Sequence, residues 1–276
     1  MTFPHSIFKA YDIRGIVDET LTEDITFKIG QAVGSEVIAN GGDSIVIGRD
    51  GRLSGPRLTQ ALSNGLRASG VNVTDIGLAP SPVVYFSSYS KGISSCIAIT
   101  GSHNPPNYNG FKMVVNGVTL SAERIQEIKQ RIIDENLSHG EGTYAEDDVI
   151  DDYVARIVGD VKLARKMKIV IDCGNGVGGA TAPQVFKKLG CDVIELFSNV
   201  DGNFPNHHPD PEHAVNLQDL IRTVKSSGAD IGLAFDGDGD RLGVVDNHGN
   251  IRDTDELLCL FALEILRQHP GSEVVH

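Results

Sequence analysis

Cysteine is scarce in this sequence and badly spaced for uses that need pairs. The four, at 96, 173, 191 and 259, form no C-x-x-C and no disulfide framework, which points to a reducing compartment, the cytoplasm. Long apolar runs are missing as well. The longest, Leu257 to Leu263, is far too short to cross a bilayer, and no basic, apolar leader opens the chain, so no membrane association is expected. Positive charge is in deficit: 24 Lys and Arg face 37 Asp and Glu, a formal net charge of −13. That balance argues against nucleic acid, which is bound through an excess of basic residues. The same field repels a small anion at long range, so a site for one needs local cations. No Gly-Lys dipeptide occurs, which excludes a P-loop kinase by its usual motif.

What is present, 40% apolar and 22% charged over 276 residues, can bury a substantial core and divide into two domains. Strand and helix signals alternate. Thr22 caps a helix with Ile25, Ile29, Val33 and Val37 on one stripe, ended at Gly41-Gly42, and the strand Ser44 to Ile47 follows. Ser54, with Pro56 in the first turn, starts a helix carrying Leu58, Leu62 and Leu66, which Gly70 stops before the strand Val71 to Ile76. A short helix spans Pro82 to Tyr89, and Ser121 caps one with Ile125, Ile128 and Ile132 buried. The polar stretch Ser138 to Asp148 reads as a linker. Beyond it come a helix to Val158, strand 168 to 172, helix 180 to 189, strand 192 to 197, helix 217 to 227 and strand 230 to 235. The pattern predicts two similar α/β domains, 1–148 and 149–250, with mixed, mostly parallel sheets covered by helices on both faces. Residues 251–276 read as the start of a third domain: Thr254 or Asp255 caps an apolar helix, Glu256 to Arg267, and a strand begins at Glu273.

Three segments carry chemistry. Thr100 to Lys112, TGSHNPPNYNGFK, is too rich in Gly, Asn and Pro for helix or strand and lies between apolar runs at Cys96 to Ile99 and Phe111 to Val115. Ser102 then reads as a nucleophile on a rigid loop held at both ends. Downstream, the strand Ile231 to Phe235 runs into Asp236-Gly-Asp-Gly-Asp-Arg241. Three carboxylates that close repel one another unless a cation lies among them, and hard oxygen ligands favour Mg²⁺ before Ca²⁺; the competing reading is a solvated acidic turn. An EF-hand fails by counting, with Arg241 at the position that needs Gly and Asn247 at the one that needs Glu. The third segment, Gly174 to Gly179, contains G-x-G-x-x-G, with Glu195 about twenty residues on, as a nicotinamide-nucleotide fold asks. Asp172 and Cys173, however, replace the apolar residue and glycine of that fingerprint, which favours a tight strand-to-helix turn. Asp201 to His213 is a long irregular loop with three histidines. Adjacent His207 and His208 do not suit one zinc ion, so the loop reads as a packed connection.

The Thr-Gly-Ser-His-Asn-Pro-Pro string at 100–106 and Asp-Gly-Asp-Gly-Asp-Arg at 236–241 together resemble the phosphoserine loop and metal loop of the α-D-phosphohexomutases, phosphomannomutase/phosphoglucomutase branch. The resemblance covers nearly the whole chain. It implies a phosphohexomutase that moves phosphate between O1 and O6 of mannose or glucose through phospho-Ser102 and a bisphosphorylated sugar. Asp236, Asp238, Asp240 and the Ser102 phosphate would hold one Mg²⁺, with hexose 1,6-bisphosphate as activator and intermediate. Lys112 resembles the family's lysine beside the transferring phosphate, a proton shuttle if neighbouring cations lower its pKa. Arg241 would neutralise phosphate from the metal side, and His103 would organise the loop or join the chemistry. Phe8 to Gly15, FKAYDIRG, resembles the opening motif, placing Tyr11 and Arg14 toward substrate. Gly48-Arg49-Asp50 is also typical and reads as a structural ion pair. The family has four domains, so the resemblance implies that this chain is the N-terminal part, inactive alone, a monomer acting on a small phosphosugar. The alternatives are a noncatalytic phosphosugar- and metal-binding module, and an NAD-dependent oxidoreductase resting on Gly174 to Gly179.

Overall fold

The computed structural model describes residues 4–274. After β1 (Ile13–Ile16), a four-residue apolar repeat winds α1 (Glu23–Ala39), burying Ile25, Ile29, Val33 and Val37, with the Thr22 hydroxyl accepting the Ile25 amide at 3.4 Å. β2 (Ser44–Arg49) leads to α2 (Gly55–Ala68), whose Leu58, Leu62 and Leu66 are fully buried. Ser54 precedes that helix as read, but its hydroxyl takes the Asn109 side-chain amide at 2.9 Å instead of capping. β3 (Asn72–Leu78), α3 (Ser81–Ser90), β4 (Cys96–Ile99), β5 (Tyr108–Val115), β6 (Val118–Thr119), α4 (Glu123–Ile133) and β7 (Tyr144–Glu146) complete the first unit.

Its sheet runs β1-β5-β4-β2-β3-β7, with β6 paired to β5. β4, β2, β3 and β7 are mutually parallel, while β5 is antiparallel to β4 and β1. Alternation along β2 sends Ile45 and Ile47 to one face, against α1, α2 and α4, and Val46 to the other, against α3. The second unit contains α5 (Ile150–Asp160), β8 (Lys168–Asp172), α6 (Ala182–Lys188), β9 (Asp192–Leu196), α7 (Gln218–Ser227), β10 (Ile231–Phe235), β11 (Leu242–Asp246) and β12 (Ile251–Arg252), followed by α8 (Thr254–Gln268). Its sheet order is β12-β11-β10-β8-β9, parallel from β10 to β9 and antiparallel beyond β10. Val170 packs on α7 from one face and Ile171 on α6 from the other. The helices therefore cover both faces of each sheet.

Several local readings change. The stretch 138–148 is not all linker: β7 extends the sheet parallel to β3, with its three side chains exposed. An edge strand held by backbone bonds shows no apolar alternation to read. Ser121 does not cap α4; Ala122 precedes it at φ 44°, its amide held by the Ala10 carbonyl. Asp253, rather than Thr254 or Asp255, caps α8 by accepting the Asp255 amide at 2.9 Å. The helix read at 180–189 is a 3-10 turn, Val177–Ala180, followed by the shorter α6. Glu273 and Val274 are not in a strand, and the remainder of that reading lies outside the described residues. Among the described residues, no helix is long and apolar enough to cross a membrane.

Candidate active site

Both chemistry-bearing loops follow the carboxyl ends of strands. Residues 100–107 join β4 to β5, whose antiparallel register sets Ile99 opposite Phe111 and Ala98 opposite Lys112. Residues 236–241 join β10 to β11 in a hairpin that closes with Phe235 opposite Leu242. The loops meet across the two units. Ser102 is buried at 2% exposure with φ 50°, a conformation few non-glycine residues hold without support. Its amide donates to Thr100 Oγ1 at 2.7 Å and its hydroxyl to Asp236 Oδ2 at 2.8 Å. Gly237 makes the approach possible, since a Cβ there would lie 2.3 Å from the Ser102 carbonyl oxygen. Of the loop's two glycines, Gly237 and Gly239, only Gly239 takes a left-handed φ, 73°.

Asp236, Asp238 and Asp240 converge, each offering an oxygen within 4.8 Å of the others; among the described residues they form the one such acidic, histidine or cysteine cluster. Asp236 and Asp238 are buried and Asp240 is exposed. Asp236 Oδ1 accepts the amides of Asp240 and Arg241 at 3.1 and 3.0 Å. Burial, then the charges of Asp238 and Asp240, push its pKa up to about 7. Asp238 is held below its ordinary value: burial would raise it, but Lys112 and Ser81 outweigh that. Its Oδ2 takes both donors, Lys112 Nζ at 2.7 Å and the Ser81 hydroxyl, while Oδ1 is buried without a partner. Three hard oxygen donors, one of them orphaned, fit a divalent cation such as Mg²⁺.

Lys112 Nζ also reaches Asp240 at 2.5 Å. Here the sequence-based expectation is corrected. Lys112 lies among carboxylates, not cations, and although burial lowers its pKa, Asp238 and Asp240 raise it overall. His103 Nδ1 lies 3.3 Å from Ser102 Oγ, and burial, helped by Arg241, lowers its pKa. Arg14, bound to Asp12, lines the adjoining cleft of about 740 Å³ with Lys9, Tyr11, His103, Lys112 and Arg241. Tyr11 is 79% exposed at the rim. Arg241 pairs with Glu212 at 2.5 Å. Lys9, Arg14, Lys112 and Arg241 thus bring basic side chains to the cleft of a chain of net charge −13, with Arg14, Lys112 and Arg241 each paired to a carboxylate.

Sequence reasoning missed several supports. Asp50 pairs with Arg52, not with the neighbouring Arg49, and accepts Thr100 Oγ1 at 2.7 Å. Arg49 instead lies 3.9 Å from Asp75. Ser81, at the start of α3, donates its amide to the Asp238 carbonyl at 3.0 Å as well as its hydroxyl to the carboxylate. The loop 201–213 touches the serine loop: His208 Nε2 bonds the His103 carbonyl, and His207 Nε2 bonds Asp172 at 3.0 Å. The contacts of Thr100 with Asp50, His208 with His103 and Ser81 with Asp238 span 50, 105 and 157 residues, so no local spacing marks them. The glycine turn also has a packed role, because the Val177 amide donates to the Gly237 carbonyl at 3.0 Å and supports the loop 236–241. An amide used in this way is not available to a pyrophosphate.

Comparison with known proteins agrees with this geometry. Residues 5–139 match the family profile described as phosphoglucomutase/phosphomannomutase, alpha/beta/alpha domain I, and residues 151–249 match domain II. The chain is similar to a phosphomannomutase/phosphoglucomutase of Pseudomonas syringae pv. tomato, 51% identical over 272 residues, covering 99% of this chain and 58% of the relative. It is 50% identical to a phosphoglucomutase of Neisseria meningitidis serogroup A over 271 residues, covering 98% of this chain and 59% of that protein. A crystal structure of a phosphoglucomutase/phosphomannomutase family protein from Burkholderia thailandensis superposes with a TM-score of 0.93 at 55% identity, covering 97% of this chain and 60% of the other. The chain thus spans somewhat under two thirds of the length of these relatives, and with both profiles matched in order it belongs to the phosphoglucomutase/phosphomannomutase family of α-D-phosphohexomutases.

Proposed function

We propose that this chain carries the transferring end of a cytoplasmic phosphohexomutase, interconverting the 1- and 6-phosphates of mannose, glucose or both. The observation that carries the reading is the 2.8 Å bond from buried Ser102 Oγ to Asp236, which sets the serine hydroxyl beside a cluster of three carboxylates. Phosphoryl transfer asks for positioning and positive charge more than for a strong nucleophile, so no Ser-His-Asp triad is required. In one half-reaction the bond from phosphorus to Ser102 Oγ breaks as a bond to a sugar oxygen forms. The accepting sugar hydroxyl gives up its proton, and Ser102 regains one. After the bisphosphate turns round, its other phosphate returns to Ser102 by the reverse exchange.

Asp236, Asp238 and Asp240 would hold one Mg²⁺, completed by an oxygen of the Ser102 phosphate. When bound, the ion supplies positive charge for the transferring group. Lys112 Nζ, held between Asp238 and Asp240, contributes its positive charge beside the transferring group. Arg14 and Arg241 bind phosphate, Tyr11 closes the rim, and neutral His103 orients the serine hydroxyl. Residues 1–148 form the serine-loop domain, 149–250 the metal-loop domain, and 251–276 the beginning of a third. Hexose 1,6-bisphosphate charges Ser102.

The relatives extend well beyond the matched region, and the grip on the distant phosphate and sugar hydroxyls is assigned to that remainder. Positioning supplies ~7–11 kcal/mol of such a barrier. Residues 1–276 alone should therefore show no appreciable turnover, whereas a chain extended to the relatives' length converts hexose 1-phosphate to 6-phosphate. A coupled assay on both chains decides this, and near-equal turnover would mean that the substrate site is misplaced.

A further inference from the structure

Among the described residues, Arg52 has the largest fully buried side chain, 1% exposed as a residue. A guanidinium taken out of water is tolerable only where its hydrogens are bonded. Here its donors reach one carboxylate and four carbonyls. Nε donates to Asp50 at 3.2 Å, Nη1 to the carbonyls of Pro105 and Tyr108 at 2.5 and 2.9 Å, and Nη2 to those of Ser102 and Asn104 at 2.8 and 2.6 Å. All four carbonyls belong to the loop that carries Ser102 or its junction with β5. From the other unit, the Phe204 ring covers the guanidinium at 5.4 Å, although Phe204 itself is held at φ 49°. Gly101 leaves the necessary room, since a Cβ there would lie 2.4 Å from Arg52 Cζ.

A core needs no charge at this place; apolar side chains would fill it without the desolvation penalty. What a planar fork adds is geometry, holding several carbonyls at fixed directions. We propose that Arg52 is a positioning residue for phosphoryl transfer, tying loop 101–108 from beneath so that Ser102 keeps its left-handed backbone and its hydroxyl stays on the carboxylates of the second unit. The proposal rests on the reading of Ser102 as phosphoryl carrier. Arg52 does not line the substrate cleft, so its action runs through the Ser102 carbonyl and the loop. Lysine at this position keeps the charge but not the fork. The effect belongs on the rate of transfer and not on affinity for the donor.

The test is single-turnover phosphorylation of Ser102 by glucose 1,6-bisphosphate with Mg²⁺, followed by intact-protein mass spectrometry over a range of donor concentrations. Hydrogen exchange of residues 101–108 is measured alongside. Arg52→Lys should slow the maximal rate by about 100-fold, as a small misplacement does, leave the half-saturating donor concentration unchanged, and speed exchange within that loop. Arg57→Gln, on the exposed face of α2, should match the wild type. If Arg52→Lys does not fold, Gly101→Ala replaces it, pressing a methyl against the guanidinium while keeping the ion pair. A folded variant with wild-type transfer, unaltered loop exchange, or a loss confined to donor affinity overturns the proposal. No transfer to the wild-type chain overturns the carrier reading, and this proposal with it.

Discussion

Asp238 shows what a single residue contributes. One of its oxygens is saturated by Lys112 and Ser81, and the other is buried with nothing to bond. An unpartnered carboxylate oxygen in the interior is unfavourable, and a cation among the three acids relieves it. Asp238→Asn keeps the shape and removes the charge. Wild-type protein at a Mg²⁺ concentration ~100 times the dissociation constant should gain roughly 2.7 kcal/mol of stability, and the variant should lose most of that gain. Thermal melts with and without Mg²⁺, paired with direct titration, measure it; a metal-independent melt and no binding would leave a solvated acidic turn. At this scale the serine and the three acids were legible, because each set lies within one short string. Arg52 and Ser81 were not, because they meet Ser102 and Asp238 across 50 and 157 residues. Lys112 was legible as a site residue, but its environment was not, since only the fold brings two carboxylates against it.

Among the elements, the loop 201–213 was read as a packed connection, and it packs with a purpose. His207 holds Asp172 at the end of β8, and the next residue bonds the carbonyl of His103. Burial alone would lower the His207 pKa, but its hydrogen bond to Asp172 and that charge outweigh burial and leave it raised above 6.5. A raised folded-state pKa means that the folded protein holds the proton more tightly than the unfolded chain. The contribution is full below the unfolded value and is lost as pH rises through the folded one. His207→Gln should therefore lower the melting temperature more near about pH 6 than near about pH 9. An equal difference at both would show that the pair does not titrate in this range. The helices were legible from their stripes, such as Leu58, Leu62 and Leu66, because burial of one face repeats with the turn. β7 and the caps at Ala122 and Asp253 were not, because edge pairing and local backbone geometry leave no hydrophobic period.

Over the whole molecule, two α/β units place their strand ends toward each other, and the site exists only at that junction. Ser102 and Lys112 come from one unit, the carboxylates and His208 from the other. Alternating periods were enough to predict two units. Their mutual placement was not, since it depends on Gly237 passing close beneath Ser102 and on Phe204 covering Arg52. α8 buries none of its residues, with Leu260 and Leu263 62% and 65% exposed, so its apolar pattern announced a helix without its partner. The central claim is that this junction accepts a phosphoryl group on Ser102. Its most direct test is incubation of the chain with glucose 1,6-bisphosphate and Mg²⁺, followed by phosphopeptide mapping of the wild type and of Ser102→Ala. One phosphate on Ser102, absent from the variant and from a magnesium-free control, is the predicted result; no phosphate, or phosphate on another serine alone, would contradict it.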